Sequence, residues 1–422
     1  MTWLQQPLRL ACGVTLPNRL AKAAMSEQLA SLDHRPTPAL LRLYERWGAG
    51  GAGLLITGNV MLDPTALVEP RNVVLTDARD LPLLRAWAGV SQASGAQLWL
   101  QINHPGRQAP RFMTAQPVAP SAVPLQVARK AFAPPRALTE PEILQLIERF
   151  ASTAALARQA GFRGVQIHAA HGYLISQFLS PLTNQRQDAW GGPLSNRMRF
   201  LLEIYRAIRA LVGSGFPIGV KLNSADFQRG GLTETDSLAV ARALAQAGVD
   251  LLEISGGTYE QPAMVGTQPQ QESTQQREAY FLAYVRQVRQ VIQTPLMLTG
   301  GFRSAAAMTA AIAEGHVDVI GLARPLAVEP DLPRRLLADP TGRSTVTPHR
   351  TGWRALDRLG LLEIVWYTQQ LQRLGAGKAP VPARSPWLAL SLAGLATCRD
   401  LLGSWPRRVL KSISSKWRLP RT

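Results

Sequence analysis

Eight short apolar segments alternate with helical patterns along about 300 residues of the chain. Most of them are apolar along their whole length, as expected for parallel strands that helices cover on both faces. The candidate strands are Leu20–Ala24, Gly53–Gly58, Gln97–Gln101, Gly164–His168, Ile218–Leu222, Leu251–Ser255, Leu296–Thr299 and Val317–Leu322. This alternation predicts an α/β protein with a (β/α)8 TIM barrel, whose chemistry lies at the C-terminal ends of the strands.

The boundaries of the intervening helices also leave a signature in the sequence. Thr37-Pro38 is typical of an N-cap followed by the first helical residue, and Thr139-x-x-Glu142 matches a capping box. Three strands follow a glycine at which a helix would end: Gly161, Gly248 and Gly315.

A G-x-G-x-x-G string at residues 48–53 raises the alternative of a doubly wound nucleotide-binding sheet. That fingerprint needs a strand before the glycines and a helix after them, so that phosphate meets the helix N-terminus. Here a helical pattern, Pro38–Trp47, precedes the string and a strand pattern, Leu54–Thr57, follows it. The glycines are therefore interpreted as a helix stop and a loop.

Composition excludes several classes of protein. The 422 residues include two cysteines, Cys12 and Cys398, too few for a disulfide framework or a four-cysteine metal centre. The first residues show no secretory signal, so we expect a cytoplasmic protein. The net charge is +18, of which +11 lies in residues 331–422, with 16 Lys+Arg against 5 Asp+Glu. Since the rest is mildly basic and lacks a nucleic-acid-binding motif, no nucleic acid partner is expected.

The segment from Gly164 to Tyr173 places two imidazoles and a phenol just beyond the fourth strand. His168 and His171 are three residues apart and can donate to one acceptor oxygen, while Tyr173 can deliver a proton beside it. From these residues alone, two other interpretations stay open. The histidines can ligate a metal, and Tyr173 can belong to the core.

Glycines and an arginine follow the last two strands, where barrels of this kind bind phosphate. Gly300 and Gly301 come after the seventh strand, and Ala323 and Arg324 after the eighth. Small residues let backbone N–H groups approach an anion, and a guanidinium adds a bidentate contact. A phosphorylated cofactor is the favoured interpretation; the alternative is that the glycines only turn the chain and Arg324 is a surface charge.

Residues from about Pro7 to Lys378 resemble the old yellow enzyme family of FMN-dependent ene-reductases. The matching segments, in family order, are PNRLAKAAMSE at 17–27, Gly58-Asn59, QINHPGRQ at 101–108, HAAHGY at 168–173, SQFLSP at 176–181, N-x-R-x-D-x-x-G-G at 184–192 and Asn196-Arg197. The resemblance implies a barrel that binds FMN and takes hydride from NADH or NADPH.

The resemblance also implies which residues hold the cofactor. The Ser26 hydroxyl would lie near the flavin O4 edge, Gln101 at the pyrimidine edge, and Lys221 near N1 and O2. Many relatives carry cysteine in place of Ser26, and several carry arginine in place of Lys221, so their flavin potential cannot be transferred to this chain. The implied cofactor-binding residues are Ala24, Met25, Ser26, Gly58, Gln101, Lys221, Gly300, Gly301, Ala323 and Arg324.

The implied reaction is ping-pong. NAD(P)H donates hydride to flavin N5, and an alkene conjugated to an electron-withdrawing group then takes the place of the nicotinamide. His168 and His171 would hold the carbonyl or nitro oxygen, and Tyr173 would protonate the α-carbon. Gln28 stands where some relatives place a substrate-contacting tyrosine and is expected in the substrate site. No metal is expected, and the alternative functions are a non-catalytic FMN sensor or scaffold and an NAD(P)H oxidase.

The C-terminal part is least like the family. We expect a barrel domain over residues 1–378, then a linker and a basic, partly amphipathic tail over 379–422. The apolar run Trp387–Ala396 is too short to cross a bilayer. A later apolar stripe at four-residue spacing consists of Trp405, Val409, Ile413 and Trp417. Two interpretations stay open: peripheral contact with an anionic membrane, or docking on the barrel or on another subunit of a homo-oligomer.

Overall fold

A closed barrel of eight parallel strands forms the body of the computed structural model, which describes residues 2–127, 130–258, 260–261, 281–347, 353 and 361–395. Each strand pairs with the next along the chain, and the last pairs with the first. The strands are β1 (Leu20–Lys22), β2 (Leu54–Met61), β3 (Gln97–Asn103), β4 (Gly164–Ala169), β5 (Ile218–Asn223), β6 (Leu251–Ser255), β7 (Leu296–Thr299) and β8 (Val319–Leu322). The predicted (β/α)8 barrel is confirmed.

The eight strands differ from the prediction only at their ends. β1 stops at Lys22, although the Ala23 N–H still donates to the Leu322 carbonyl, and β8 begins at Val319. β2 runs on to Met61, and its register against β3 shifts between Ile56 and Asn59. This irregularity carries the chain beyond Gly58 at the C-terminal end of the barrel.

Helices surround the barrel, and their predicted boundaries are confirmed. The Thr37 side chain accepts the Leu40 N–H at 3.3 Å, Thr139 and Glu142 form a capping box, and Gly161 ends its helix with φ of 95°. The helices are α1 (Pro38–Ala49), α2 (Leu81–Gly89), α3 (Glu140–Ala160), α4 (Leu174–Leu179), α5 (Leu194–Arg197), α6 (Arg199–Val212), α7 (Glu234–Ala247), α8 (Leu282–Val291), α9 (Ala305–Ala313), α10 (Leu332–Ala338) and α11 (Leu361–Gly375). Short strands outside the barrel are Leu8–Arg9 with Thr15–Leu16, Val73–Val74 beside β2, and Val118–Ala119 with Arg136–Ala137.

The glycine-rich string connects α1 to β2, as predicted. Gly50 lies directly after α1, where a Cβ would collide with the Pro330 carbonyl oxygen. The Gly53 N–H donates to the Leu20 carbonyl at 2.8 Å and so begins the pairing of β2 with β1. These glycines serve helix termination and close packing.

The lower half of the barrel interior is apolar. Trp99 of β3 fills it, and glycine at two positions makes room for the indole, since a Cβ on Gly164 or Gly219 would lie 2.7 or 3.0 Å from it. The residues packed with Trp99 are Leu10, Leu16, Ala21, Ala23, Leu54, Ile56, Leu251, Met297 and Val319. With this end filled, polar groups inside the barrel are left to the C-terminal ends of the strands.

Two C-terminal helices follow the last strand of the barrel and contact each other. α11 packs against α1, and residues 386–395 form a further helix whose Ala389 carbonyl accepts from Gln369 Nε2 at 2.6 Å. This helix exposes the apolar side chains of Trp387, Leu388, Leu392 and Leu395, of which Leu392 borders a cavity. The predicted stripe from Trp405 to Trp417 lies outside the described residues. Within the described part of the chain, no helix is long and apolar enough to span a bilayer.

Candidate active site

A cavity of about 1390 Å³ opens at the C-terminal ends of the strands. Its lining comes from the ends of the strands and from α11 with the helix that follows it, including Tyr367 and Leu392. Eleven of the predicted site residues line it: Ala24, Met25, Ser26, Gln28, Gln101, His168, His171, Tyr173, Lys221, Ala323 and Arg324. Three predicted residues lie outside its lining: Gly58, Gly300 and Gly301.

His168, His171 and Tyr173 form one aromatic cluster in this cavity. The His168 ring lies 5.0 Å from the His171 ring and 4.8 Å from the Tyr173 ring between centroids, and both contacts are edge-to-face. His168 is the last residue but one of β4, and Tyr173 is 6% exposed. The structure therefore brings together the three residues that the sequence motif joins.

A tight turn after β4 places the cluster. His171 and Gly172 both have left-handed backbones, with φ of 61° and 74°. The turn is held from three sides, since the His171 N–H donates to Asn223 Oδ1 at 3.1 Å, Gln108 Nε2 donates to the His171 carbonyl at 3.0 Å, and Gln177 Nε2 donates to the Gly172 carbonyl at 2.7 Å. A strained residue fixed by so many bonds is typical of functional sites.

Both imidazoles are neutral. Burial lowers the pKa of His168 well below its usual value, and the neighbouring His171 and Lys221 lower it further. Burial and Lys221 lower the pKa of His171 to about 3. The Ala170 N–H donates to His168 Nδ1 at 3.3 Å, so the neutral ring carries its proton on Nε2. His171 Nε2 shares a hydrogen bond of 2.8 Å with the Ser255 hydroxyl.

A chain of buried polar side chains crosses the upper barrel beside the cluster. Lys221 Nζ lies 2.9 Å from Glu253 Oε1, and Gln166 Nε2 donates to Glu253 Oε2 at 2.7 Å. Gln101 Nε2 donates to Gln166 Oε1 at 2.8 Å. Gln101 and Lys221 line the cavity at the two ends of this chain, and Glu253 is fully buried between them.

Around β1 and β2, carboxylates bind the groups nearest to the cavity. The Ser26 hydroxyl donates to Glu69, which also accepts from Gln28. Burial raises the pKa of Glu69, against the lowering effect of these hydrogen bonds. Gly58 lies behind this surface: its N–H donates to Glu27 Oε1 at 2.8 Å, and a Cβ there would collide with Glu27 and the Met25 carbonyl.

The predicted phosphate loops lie at the ends of β7 and β8. Gly300 and Gly301 both have positive φ, 126° and 89°, which glycine adopts without strain. Arg324 Nη1 donates to Glu363 Oε2 of α11 at 2.8 Å. The guanidinium is 25% exposed and the carboxylate 9% exposed, so α11 supplies a counter-charge beside the loop.

Sequence inspection missed Glu69, Glu253 and Glu363. Glu253 had a signal, because it interrupts the apolar strand Leu251–Ser255, and its cross-strand neighbour in the register is Lys221. Glu69 and Glu363 lie in a loop and in a terminal helix, and no local pattern marks them. Their partners depend on the tertiary fold.

The cavity lining also contains a hydrogen-bond acceptor that has no partner among the described residues. Asn59 Oδ1 is buried without a hydrogen-bond partner among the described residues, and Asn59 lines the cavity next to Gln101 in the strand register. A buried acceptor of this kind calls for a ligand with an N–H group. Together with the Lys221 cation and the arginine beside the β8 loop, the donor and acceptor set fits FMN. Among the described residues, no group of three or more His, Cys, Asp or Glu side chains is placed to hold a metal ion.

Comparison with known proteins gives a family match over most of the chain. Residues 4–340 match the model of the NADH:flavin oxidoreductase / NADH oxidase family. The NADH-dependent flavin oxidoreductase iccE of Talaromyces variabilis is 39% identical over 359 residues, which cover 80% of this chain and 87% of that protein.

Solved structures of old yellow enzyme type also superpose on this chain. The old yellow enzyme homologue from Zymomonas mobilis superposes with a TM-score of 0.68 at 26% identity, covering 83% of this chain and 98% of that one. Morphinone reductase superposes with the same TM-score of 0.68 at 26% identity, covering 82% and 92%.

The predicted family, fold and cofactors are thus confirmed from three directions: the family model, a relative of similar length, and the superposed barrels. The chain belongs to the NADH:flavin oxidoreductase / NADH oxidase family, the old yellow enzyme family, and is an FMN-dependent oxidoreductase that uses NAD(P)H.

Proposed function

We propose that this protein reduces alkenes activated by a carbonyl or nitro group, with FMN as the hydride carrier and NADH or NADPH as the donor. One observation carries the proposal. Two neutral imidazoles and a phenol meet in the cavity, with His168 within 5.0 Å of His171 and 4.8 Å of Tyr173 between ring centroids. A neutral N–H donor stabilises a developing oxyanion without binding an anion beforehand.

The chain would hold FMN, in this proposal, through the residues that the family resemblance implies, of which seven line the cavity and Gly58, Gly300 and Gly301 lie outside its lining. The Lys221 cation would favour the negative charge of the reduced flavin, and Gln101 would bond its pyrimidine edge. Backbone groups at Ala24 and Met25 and the Ser26 hydroxyl would contact the ring, and Gly58 packs directly behind Met25. The phosphate would lie at the loops of Gly300, Gly301, Ala323 and Arg324.

FMN, when bound, would supply hydride transfer at its N5 atom between the nicotinamide and the alkene. His168 donates its Nε2–H, and His171 a ring N–H, to the carbonyl or nitro oxygen of the substrate. Tyr173 gives its hydroxyl proton to the α-carbon. Gln28, which is held by Glu69 and lines the cavity, limits the shape of the alkene that fits.

An anaerobic experiment in two steps tests this function. The flavin is first reduced with NADH or NADPH and then mixed with cyclohexenone, a nitroalkene, a nitrate ester or dioxygen. We expect reoxidation by the enone or the nitroalkene without oxygen. Reoxidation by dioxygen alone would identify an NAD(P)H oxidase, and a flavin that neither nucleotide reduces would identify a sensor or scaffold.

For the C-terminal segment we propose a second role, peripheral contact with anionic lipid. The exposed stripe of Trp387, Leu388 and Leu395 supports it, because such an apolar helix face followed by a basic sequence is typical of interfacial helices. The full chain should sediment with vesicles that contain anionic lipid, and a chain truncated after Lys378 should not. Equal sedimentation would exclude the role, and a change in oligomeric state on truncation would assign the stripe to a subunit contact.

A further inference from the structure

Glu253 joins the two cavity residues that are proposed to hold the pyrimidine edge of the flavin. It is 0% exposed, and three groups bind its carboxylate. Lys221 Nζ lies 2.9 Å from Oε1, the Thr299 hydroxyl donates to Oε1 at 2.7 Å, and Gln166 Nε2 donates to Oε2 at 2.7 Å. The carboxylate is thus fully engaged within the barrel.

The chain of hydrogen bonds has a direction that Glu253 imposes. A carboxylate paired with an ammonium only accepts, so Gln166 must present its NH2 group to Glu253. Its carbonyl oxygen then faces the other way and accepts from Gln101 Nε2 at 2.8 Å. Because Gln101 Nε2 donates to Gln166, the Gln101 amide is held in one orientation, in which its Oε1 can accept from a ligand in the cavity.

Glu253 also affects the electrostatics of the site. Lys221 is 4% exposed, so water screens its charge little, and the adjacent carboxylate is its nearest counter-charge. Without Glu253, the full cation would act on a ligand in the cavity. A flavin that gains negative charge on reduction would then be easier to reduce.

We propose that Glu253 is a positioning residue that orients the Gln101 amide through Gln166 and moderates the charge of Lys221. The inference rests on the proposed placement of the flavin over Gln101 and Lys221. Glu253 would therefore have two separable effects. By orienting the amides it would strengthen FMN binding, and by its negative charge it would lower the midpoint potential of the flavin.

Glu253→Gln and Gln166→Met separate these effects. Glu253→Gln lets the amides turn over and removes the charge, so FMN binding to the apoprotein should weaken by about tenfold, and the midpoint potential should rise. Gln166→Met breaks the chain without changing the charge, so affinity should fall similarly while the potential stays at the wild-type value. Thr299→Val is the matched control. It removes a hydrogen bond to Glu253 but leaves the charge of Glu253 and the orientation of the Gln101 amide in place, so FMN affinity should change by less than about twofold.

Different results would overturn the role of Glu253 and the placement of the flavin. Wild-type FMN affinity in Glu253→Gln and Gln166→Met, with an unchanged potential in the former, would overturn the role of Glu253. If Lys221→Met also bound FMN with wild-type affinity, the flavin placement itself would be wrong. Should Glu253→Gln fail to fold, a wild-type affinity in Gln166→Met would still reject the effect on amide orientation, and a weakened one would support it.

Discussion

Two cations, Lys221 and Arg324, line the cavity, and each is paired with a glutamate. Lys221 pairs with Glu253 at 2.9 Å, with side chains 4% and 0% exposed, between adjacent strands of the barrel. Arg324 pairs with Glu363 at 2.8 Å, with side chains 25% and 9% exposed, between a barrel loop and the added helix α11. One pair is built into the sheet; the other joins two separate parts of the chain.

The difference in burial decides what each pair can do. A buried pair costs a great deal to break, because the remaining charge has no water to solvate it. A partly exposed pair contributes little to stability and can exchange partners. We therefore expect Lys221 to be a fixed charge, and Arg324 to be a charge for which a ligand phosphate competes with Glu363.

The largest effect is expected for Lys221→Met. It leaves Glu253 buried and unpaired, so the free energy of unfolding of the apoprotein should fall by about 3 to 5 kcal/mol in denaturant titrations. The double variant Lys221→Met with Glu253→Gln should recover part of this loss. No recovery would mean that the two side chains are not coupled.

A smaller and different effect is expected for Arg324→Ala. FMN affinity should fall by about 10-fold to 100-fold, as for the loss of one charge-assisted contact, while unfolding of the apoprotein changes little. Fluorescence titration of the apoprotein with FMN measures the first quantity. Binding of riboflavin, which has no phosphate, is the control and should stay the same; an equal loss for both ligands would remove Arg324 from the phosphate site.

Glu363→Gln should change FMN affinity in the opposite direction from Arg324→Ala. Removing the Glu363 carboxylate removes one competitor for the Arg324 guanidinium, so FMN should bind about twofold to fivefold more tightly at low salt. The gain should shrink as salt rises, because the pair is partly exposed. Weaker FMN binding in this variant would show that Glu363 positions the arginine and does not compete for it.

The smallest effect concerns pH. Burial lowers the pKa of His171 to about 3 and that of His168 well below its usual value, so both rings stay neutral as pH falls through the normal histidine range. The rate of alkene-dependent flavin reoxidation should change less than about twofold between pH 5.5 and 8. A break near pH 6.5 would show that one imidazole titrates as in water.

The barrel was predictable from the sequence because its strands are short apolar runs that alternate with helical patterns, and three of them follow a helix stop, such as Gly161 or Gly248. The His168 to Tyr173 cluster was predictable because its members are neighbours in sequence, one turn beyond a strand. The three glutamates at the site were harder to predict from the sequence. Glu253 could have been noticed as a charge within an apolar strand, whereas Glu69 and Glu363 reach the cavity only through a loop and a helix whose docking has no local signature.

The central claim is that Tyr173 delivers a proton to an alkene held by His168 and His171. The most direct measurement compares Tyr173→Phe with the wild type in anaerobic stopped-flow, for flavin reduction by NADH and for reoxidation by cyclohexenone. We predict that reoxidation slows by about 100-fold or more and that reduction changes less than about twofold. Equal effects on both steps, or none on reoxidation, would contradict the account.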